Sequence, residues 1–298
     1  MISVRVDLAN LAADLQTYAK IADVPFAGDA VWKMLDTFPE QYAGSCISVR
    51  TTTHPAERRD VNFRFLSNDL SHDPVAPLQR AGELAFEGHP VEDLLAELVE
   101  RYPVWWGVDS AVSHGFEKFW VFFTRGVPLD EILELPQLPT AARAHRDALV
   151  AAGIDVVYLV GLDFWHRSVN LYSGLLPPGR LSPPRVAGLV GELGFPVPDE
   201  EERALAAQAF QTYHTFTWES PDVQRLCFAG TVRPPAGSAQ WHPPTGRFVA
   251  EAPVLAGRRD FIFARTYGPG LTYQKVEADY TGTTGETFFD YWRRSGAS

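Results

Sequence analysis

Two hydrophobic periods alternate along this chain. Stretches in which apolar residues recur every three to four positions give way to short runs that alternate apolar and polar residues, the periods of helix and strand. The helical pattern covers Leu8 to Ile21 and Asp29 to Phe38, and strand-like runs follow at Ser45 to Thr52 and Asp60 to Leu66. The same order returns with Val75 to Ala85 and Val91 to Tyr102 ahead of Val104 to Ala111 and Glu117 to Phe123. It returns again with Thr140 to Ala152 ahead of Ile154 to Leu162 and Arg167 to Ser173. Pro184 to Leu193 and Asp199 to Phe210 then precede Gln211 to Glu219 and Gln224 to Thr231. A last pair, Asp260 to Tyr267 and Thr272 to Tyr280, flanks the turn Gly268-Pro269-Gly270, with a terminal helix expected from about Glu286.

Strand pairs recurring roughly every 50 to 60 residues, with helices between them, imply about ten antiparallel strands. That number suits a closed barrel wrapped by helices, in which closure removes the strand edges. The expected fold class is α+β, a closed ten-stranded antiparallel β-barrel of five helix-helix-strand-strand repeats, against an ordinary two-layer α+β arrangement. No stretch of linker composition divides the units, and the proline-rich passages Pro177 to Pro184 and Pro234 to Pro244 fall where long loops belong, so residues 1–298 are expected to form one domain.

Splitting each strand into its two faces separates chemistry from packing. Phe63 and Phe65, Phe119, Val121 and Phe123, Val169 and Leu171, and Leu226 and Phe228 form apolar sets. The opposite faces carry Asn62, Arg64 and Leu66; Lys118, Trp120 and Phe122; Ser168, Asn170 and Tyr172; Gln211, Tyr213, Thr215 and Thr217; Arg225, Cys227 and Ala229; and Tyr273, Lys275, Glu277 and Asp279. If the apolar faces lie under helices, the others line the lumen, and Arg64, Lys118, Arg225 and Lys275 converge there among aromatic rings. Buried unpaired charge costs several kcal/mol per group. A diphosphate would balance it, whereas on the solvated side of an open sheet the same residues would need no ligand.

Composition narrows the partners. The chain has 298 residues, with 26 Lys and Arg against 37 Asp and Glu, a net charge of -11. Such a balance opposes general attraction to nucleic acid or an anionic membrane, so an anionic ligand must meet a local positive cluster. The longest uncharged apolar runs, such as Val156 to Leu162, fall short of the ~20 residues of a spanning helix, and Met1 to Ala22 has no signal-like apolar region. A cytoplasmic protein, monomeric and without membrane or nucleic-acid partners, is expected. Cys46 and Cys227 are the two cysteines, read as buried thiols, and the eight histidines form neither HExxH nor a Cys/His zinc framework. Asp199-Glu200-Glu201-Glu202, after Pro198, reads as a helix first turn, and no DDxxD occurs.

The segments Gly88-His89-Pro90-Val91-Glu92-Asp93-Leu94-Leu95, Arg167-Ser168-Val169-Asn170-Leu171-Tyr172, and Trp218-Glu219-Ser220 followed by Arg225-Leu226-Cys227-Phe228-Ala229 resemble the soluble bacterial aromatic prenyltransferases of the ABBA class. The resemblance runs through nearly the whole chain. It implies a ten-stranded barrel with the reaction in its lumen, and places Lys118, Asn170, Tyr172, Tyr213, Arg225 and Lys275 at the allylic diphosphate. Magnesium-dependent members have an aspartate where this chain has Asn62, a poor ligand for Mg²⁺. Arg64 would supply fixed charge instead, as in metal-independent members, although Asp109 remains at the other acidic position. No cofactor is therefore expected. His166 stands where relatives can have lysine and Trp120 where they can have tyrosine, the bulkier ring favouring a five-carbon over a ten-carbon donor.

The chemistry so implied is electrophilic aromatic substitution. Cationic and hydroxyl groups neutralise the leaving diphosphate, and the faces of Trp120, Tyr172 and Tyr213 stabilise the allyl cation. Glu277 is the candidate for orienting the aromatic acceptor and taking its proton, with a salt bridge to Lys275 as its other reading. Tyr158, Phe210, Gln211, Ile262 and Asp279 are candidate acceptor-pocket residues, Phe210 and Ile262 being equally open to core packing. A non-catalytic carrier of an anionic amphiphile, or a magnesium-dependent enzyme recruiting metal through Asp109, would use the same residues.

Overall fold

The strand-period runs become β1 (Cys46–Thr52), β2 (Asn62–Ser67), β3 (Val104–Ala111), β4 (Gly115–Pro128), β5 (Val156–Asp163), β6 (Ser168–Tyr172), β7 (Gln211–Thr217), β8 (Arg225–Val232), β9 (Phe261–Gly268) and β10 (Leu271–Asp279). The structure is a computed structural model that describes residues 5–67, 69, 71–232, 242–255, 257, 259–285, 287 and 291. Every strand pairs antiparallel with its neighbours in sequence, and β1 pairs with β10, so the ten strands close into a barrel. The closing seam sets Ser48 opposite Asp279, Arg50 opposite Glu277 and Thr52 opposite Lys275. Closure satisfies the backbone groups that an edge would expose.

Helices precede each hairpin, but their number varies. α1 (Leu8–Ala22), α2 (Gly28–Thr37) and α3 (Pro39–Gly44) precede β1; α4 (Val75–Ala81) and α5 (Pro90–Arg101) precede β3. α6 (Leu129–Leu133), α7 (Thr140–Ala144) and α8 (Arg146–Ala151) precede β5; α9 (Pro183–Glu192) and α10 (Glu200–Ala206) precede β7; α11 (Pro243–Glu251) precedes β9. Among the described residues, the expected pair of helices per unit therefore holds for the second and fourth units. The expected helix Thr140 to Ala152 is interrupted at His145, and that from Asp199 to Phe210 stops at Ala206, after which the Phe210 amide donates to Ala229 O at 2.8 Å. α3 and α11 begin with prolines, which read as loop text yet suit a first turn that needs no amide donor. The terminal helix expected from about Glu286 lies largely outside the described residues, as does most of Pro234 to Pro244.

The two faces of the sheet sort as alternation requires. Phe63, Phe65, Phe119, Val121, Phe123, Val169, Leu171, Leu226 and Phe228 pack outside the barrel with Leu11, Leu15, Leu35, Leu94 and Leu98 of the helices. Burying each such side chain stabilises the fold by about 1.5–3 kcal/mol. A smaller apolar cluster, with Leu66, Trp105, Trp120, Phe122, Leu159, Tyr172 and Tyr213, lies inside. Asp199 caps α10 by accepting from the Glu202 amide at 2.9 Å, so the acidic run is a helix start. Both cysteines are free and buried. Among the described residues, no helix is long and apolar enough to cross a membrane.

Candidate active site

Strand register brings the polar faces together. Around the lumen Arg64 lies opposite Asp109, Asp109 opposite Lys118, Lys118 opposite Asp163, Asn170 opposite Thr215, and Thr215 opposite Arg225. These residues form a polar layer toward the end of the barrel where the hairpins β1–β2, β3–β4, β5–β6, β7–β8 and β9–β10 turn. One step inward are Trp120, Tyr172, Tyr213 and Cys227, and beyond them Trp105, Phe122 and Leu159.

The β1–β4 part of the polar layer is neutralised internally. Arg64, 1% exposed, donates through Nη2 to Glu277 Oε2 at 2.8 Å and places Nε 3.7 Å from Asp109. Arg50 donates to Asp109 Oδ2 and to the Asn62 carbonyl, each at 3.1 Å. Burial pushes the Asp109 carboxyl up, but Arg64, Arg50 and Lys118 together hold it below the usual carboxylate range. Lys118 Nζ lies 3.0 Å from Asp163, whose carboxyl is likewise held low against burial by Lys118 and His166. Three lumen cations thus already have carboxylates, so the expectation that Arg64 and Lys118 lack counter-charge is corrected.

The β7–β10 part differs. Among the described residues, Arg225 and Lys275 form no ion pair with a carboxylate. Lys275 donates to the Tyr213 hydroxyl at 2.5 Å, and its ammonium lies 5.1 Å and 5.4 Å from the centres of the Tyr213 and Tyr273 rings. Burial pulls the Lys275 ammonium below the usual lysine range. Burial pushes the Tyr273 phenol up, yet Lys275 and Arg225 outweigh it and bring it down to about 8. Beside them Asn170 accepts from Thr215 Oγ1 at 2.7 Å and donates to the Tyr172 hydroxyl at 3.3 Å.

Aromatic rings floor this layer. Tyr172 and Tyr213 lie 4.4 Å apart between centroids, and Trp120 is 5.4 Å from Tyr172. Trp120 has a glycine as cross-strand partner on both sides, Gly107 and Gly161. A Cβ at Gly107 would come within 2.6 Å of Leu66 and 3.1 Å of Trp120, so the missing side chains make room for the indole. One face of Trp120 carries the Arg64 guanidinium at 4.0 Å, which leaves less of the ring for a substrate cation than the sequence suggested. Deeper in, Trp105 stacks on Phe122 at 3.9 Å, and Tyr291 meets both edge-on.

The remaining candidates are dispersed around this centre. Glu277 pairs with Arg64 rather than with Lys275, and its Oε1 is buried with no protein partner, as is Trp120 Nε1. Tyr158 belongs to the inner cluster, against which Phe210 and Ile262 pack while partly buried. Gln211 donates to Ser173 O at 2.8 Å. The Asp279 carboxylate accepts from Thr284 Oγ1 at 2.7 Å and from the amides of Thr283 and Thr284, so it is spent on holding the chain after β10. Two of the three resembling segments meet at the rim, where the His89 ring packs edge-on against Trp218 at 4.9 Å.

Sequence relationships agree with this geometry. The family model described as aromatic prenyltransferase Orf2 matches residues 6–292. The chain belongs to that family. It is therefore an aromatic prenyltransferase, and the non-catalytic carrier reading is set aside. The chain is 29% identical to a flaviolin linalyltransferase of Streptomyces virginiae, over 95% of this chain and 96% of that protein. It is 27% identical to a 5,10-dihydrophenazine-1-carboxylate 9-dimethylallyltransferase of Streptomyces anulatus, over 91% of this chain and 92% of that one. A 5-dimethylallyl tryptophan synthase structure from Streptomyces coelicolor, in complex with DMASPP and Trp, superposes with TM-score 0.60 at 12% identity, covering 94% and 97% of the two chains, and supports the barrel fold.

The side chain of Asn62, where the resemblance implies an aspartate in a magnesium-dependent enzyme, is engaged through both its nitrogen and its oxygen. The Asn62 amide donates to Glu117 Oε2 at 2.7 Å while its carbonyl accepts from Arg50. Asp109 is flanked by two guanidinium groups. These residues do not fit a divalent cation, whose oxygen ligands must be free of competing cations. Arg50, Trp105, Asp163 and Tyr273 are lumen residues to which the sequence reading gave no role. The same alternation carries the signal: Cys46, Ser48, Arg50 and Thr52 share one face of β1, and Trp105, Gly107 and Asp109 one face of β3.

Proposed function

We propose that this aromatic prenyltransferase moves an allylic group, dimethylallyl ahead of geranyl, from its diphosphate to an electron-rich aromatic small molecule of secondary metabolism, without a divalent metal. The observation that carries the reading is the pair Arg225 and Lys275, partly buried beside phenols and rings and in no ion pair with a carboxylate among the described residues. An allylic diphosphate seated there places its phosphates on Arg225, Lys275, Asn170 and the Tyr213 hydroxyl, with its hydrocarbon over Tyr172, Tyr213 and Trp120. Breaking the C1–O bond sends the electron pair to the diphosphate, whose growing charge these fixed donors offset. The allyl cation is shielded from water by the rings and attacked by the aromatic acceptor, forming the new bond. The proton then lost from the acceptor ring passes to a base, and the buried, unpartnered Glu277 Oε1 supports that residue in the role.

Two features support the finer choices. The Arg50 and Arg64 guanidinium groups stand at Asp109 where a metal would need its carboxylate, and so favour metal-independent turnover. The indole of Trp120 occupies lumen space cleared by two glycines, which favours the shorter donor. The test is calorimetric titration in EDTA with non-ionising thiolo-diphosphates of five, ten and fifteen carbons. Tight binding of the five-carbon analogue without metal is expected. Binding that appears only on adding Mg²⁺ would overturn the metal-free reading, and a preference for ten carbons would overturn the donor choice.

A further inference from the structure

At the hairpin end of the lumen, the loop after β1 places a histidine against the unpaired cations. The His54 ring lies 3.9 Å from the Tyr273 ring between centroids, at 31°. Its backbone is held on several sides. Thr53 N donates to Gln274 O and Gln274 N to Thr53 Oγ1, each at 2.9 Å, which continues the β1–β10 ladder past Thr52. Arg59 Nε donates to His54 O at 2.9 Å, and its Nη1 to Ala22 O at 2.9 Å. The ring so fixed has its Nδ1 buried with no protein partner. Stacking and backbone anchoring explain where the imidazole sits, and neither explains a polar nitrogen left without a hydrogen bond.

The charged groups around it are nearly all of one sign. Arg58 comes from its own loop, Lys275 from β10, Arg225 from β8 and His166 from the β5–β6 turn. The neighbouring phenol of Tyr273 is itself flanked by Lys275 and Arg225, and Glu57 in the same loop is exposed. Among the described residues no carboxylate forms an ion pair with His54. Burial, then Arg58, Lys275, Arg225 and His166, bring the imidazole down to about 4, so it is neutral at physiological pH. A dianionic or trianionic phosphate group arriving at Arg225 and Lys275 reverses the local field.

We propose that His54 is a further diphosphate-binding residue, one that is neutral in the free protein and takes a proton from solvent as the donor docks, adding a charge-assisted N–H to the phosphate. This rests on the donor site proposed above. A neutral imidazole lets Lys275 and Arg225 coexist before the donor arrives, and an imidazolium then contributes to holding the leaving group. One proton enters from solvent per donor bound, forming the imidazolium N–H, and no other covalent bond forms or breaks.

The imidazole Cε1–H resonances of the intact protein test this directly, with His54 assigned by its loss in His54→Gln. The probes are dimethylallyl thiolo-diphosphate and inorganic pyrophosphate. In the free protein at pH 6.5 the His54 resonance should sit at the neutral position, and at saturation it should move toward the imidazolium position, its midpoint rising by about three pH units or more. His54→Gln should weaken the thiolo-diphosphate by about tenfold at pH 6 and by less than about twofold at pH 8.5. A saturated complex in which His54 stays neutral overturns this inference and leaves the donor site standing. Failure of the wild-type protein to bind either probe, with or without Mg²⁺, overturns the donor site and this inference with it.

Discussion

The two parts of the charged lumen layer are built from the same residue types and do opposite things. Around β1 to β4, Arg50, Arg64 and Lys118 are matched by Asp109, Glu277 and Asp163 at 2.8 to 3.7 Å. Around β7 to β10, Arg225 and Lys275 face phenols and a thiol and form no ion pair with a carboxylate among the described residues, Asp163 acting on Arg225 from beyond ion-pair distance. A matched buried cation is a structural device, because removing it strands its carboxylate away from water. An unmatched one has its desolvation compensated only in part, and an anionic ligand completes it. Counting cations on a strand face identifies a lumen; counting the carboxylates opposite them identifies which side of that lumen is prepared for a diphosphate.

The largest effect that this contrast predicts is on stability. Arg64→Met leaves Asp109 with Arg50 and the more distant Lys118 and removes the ion-pair partner of Glu277, and should destabilise the fold by about 3–5 kcal/mol in urea unfolding. Arg225→Met strands no carboxylate and should cost less than about 1 kcal/mol. Equal losses from the two substitutions would erase the distinction between the halves.

Catalysis should show the reverse preference. Lys275→Met removes a fixed charge from the proposed phosphate seat, and kcat/KM for prenyl transfer should fall by about 10²–10³-fold with an unchanged unfolding midpoint. A loss below about tenfold would move the phosphate seat away from β10. Glu277→Gln should lower kcat by about 10- to 30-fold while the Kd for dimethylallyl thiolo-diphosphate stays within about twofold. Weakened donor binding in that variant would instead assign Glu277 to the Arg64 ion pair alone.

Much of this arrangement is legible in the amino-acid sequence. Period-two alternation placed Arg64, Lys118, Asn170, Tyr172, Tyr213, Arg225 and Lys275 on one face, because closure of the barrel preserves the pleat around the whole circumference. Charge pairing was not legible, since Arg64 and Glu277 are 213 residues apart and meet only through the β1–β10 seam. The same distance hid the pairing choice of Glu277, for which the nearer Lys275 was the obvious partner by sequence. Asp279 shares the inward face, yet its carboxylate turns to the Thr283 and Thr284 region, a local cap that alternation cannot register. Arg50 shows no such obstacle: it lies on the polar face of β1 and is found by the rule that found Arg64.

The smallest effect concerns pH and sharpens the contrast from the ligand's side. Tyr273, 4% exposed, is held down to about 8 by Lys275 and Arg225 against the effect of burial. Above that pH its phenolate supplies the anion that the two cations lack, and so competes with a diphosphate for them. Donor affinity should therefore fall as pH rises from 7 to 9.5, by up to about tenfold, while in Tyr273→Phe it should stay nearly level. Fold stability should move in the other sense. The folded value lies below the unfolded one, so the stabilisation from this group is complete above the unfolded value and is lost as pH falls through about 8. Opposed trends in thiolo-diphosphate affinity and in unfolding free energy across pH 8 to 9.5, both abolished in Tyr273→Phe, would show one phenolate serving the two cations as their counter-ion. Parallel trends would mean that the cations of β8 and β10 are neutralised by something other than Tyr273, and the unmatched half of the lumen would have to be redrawn.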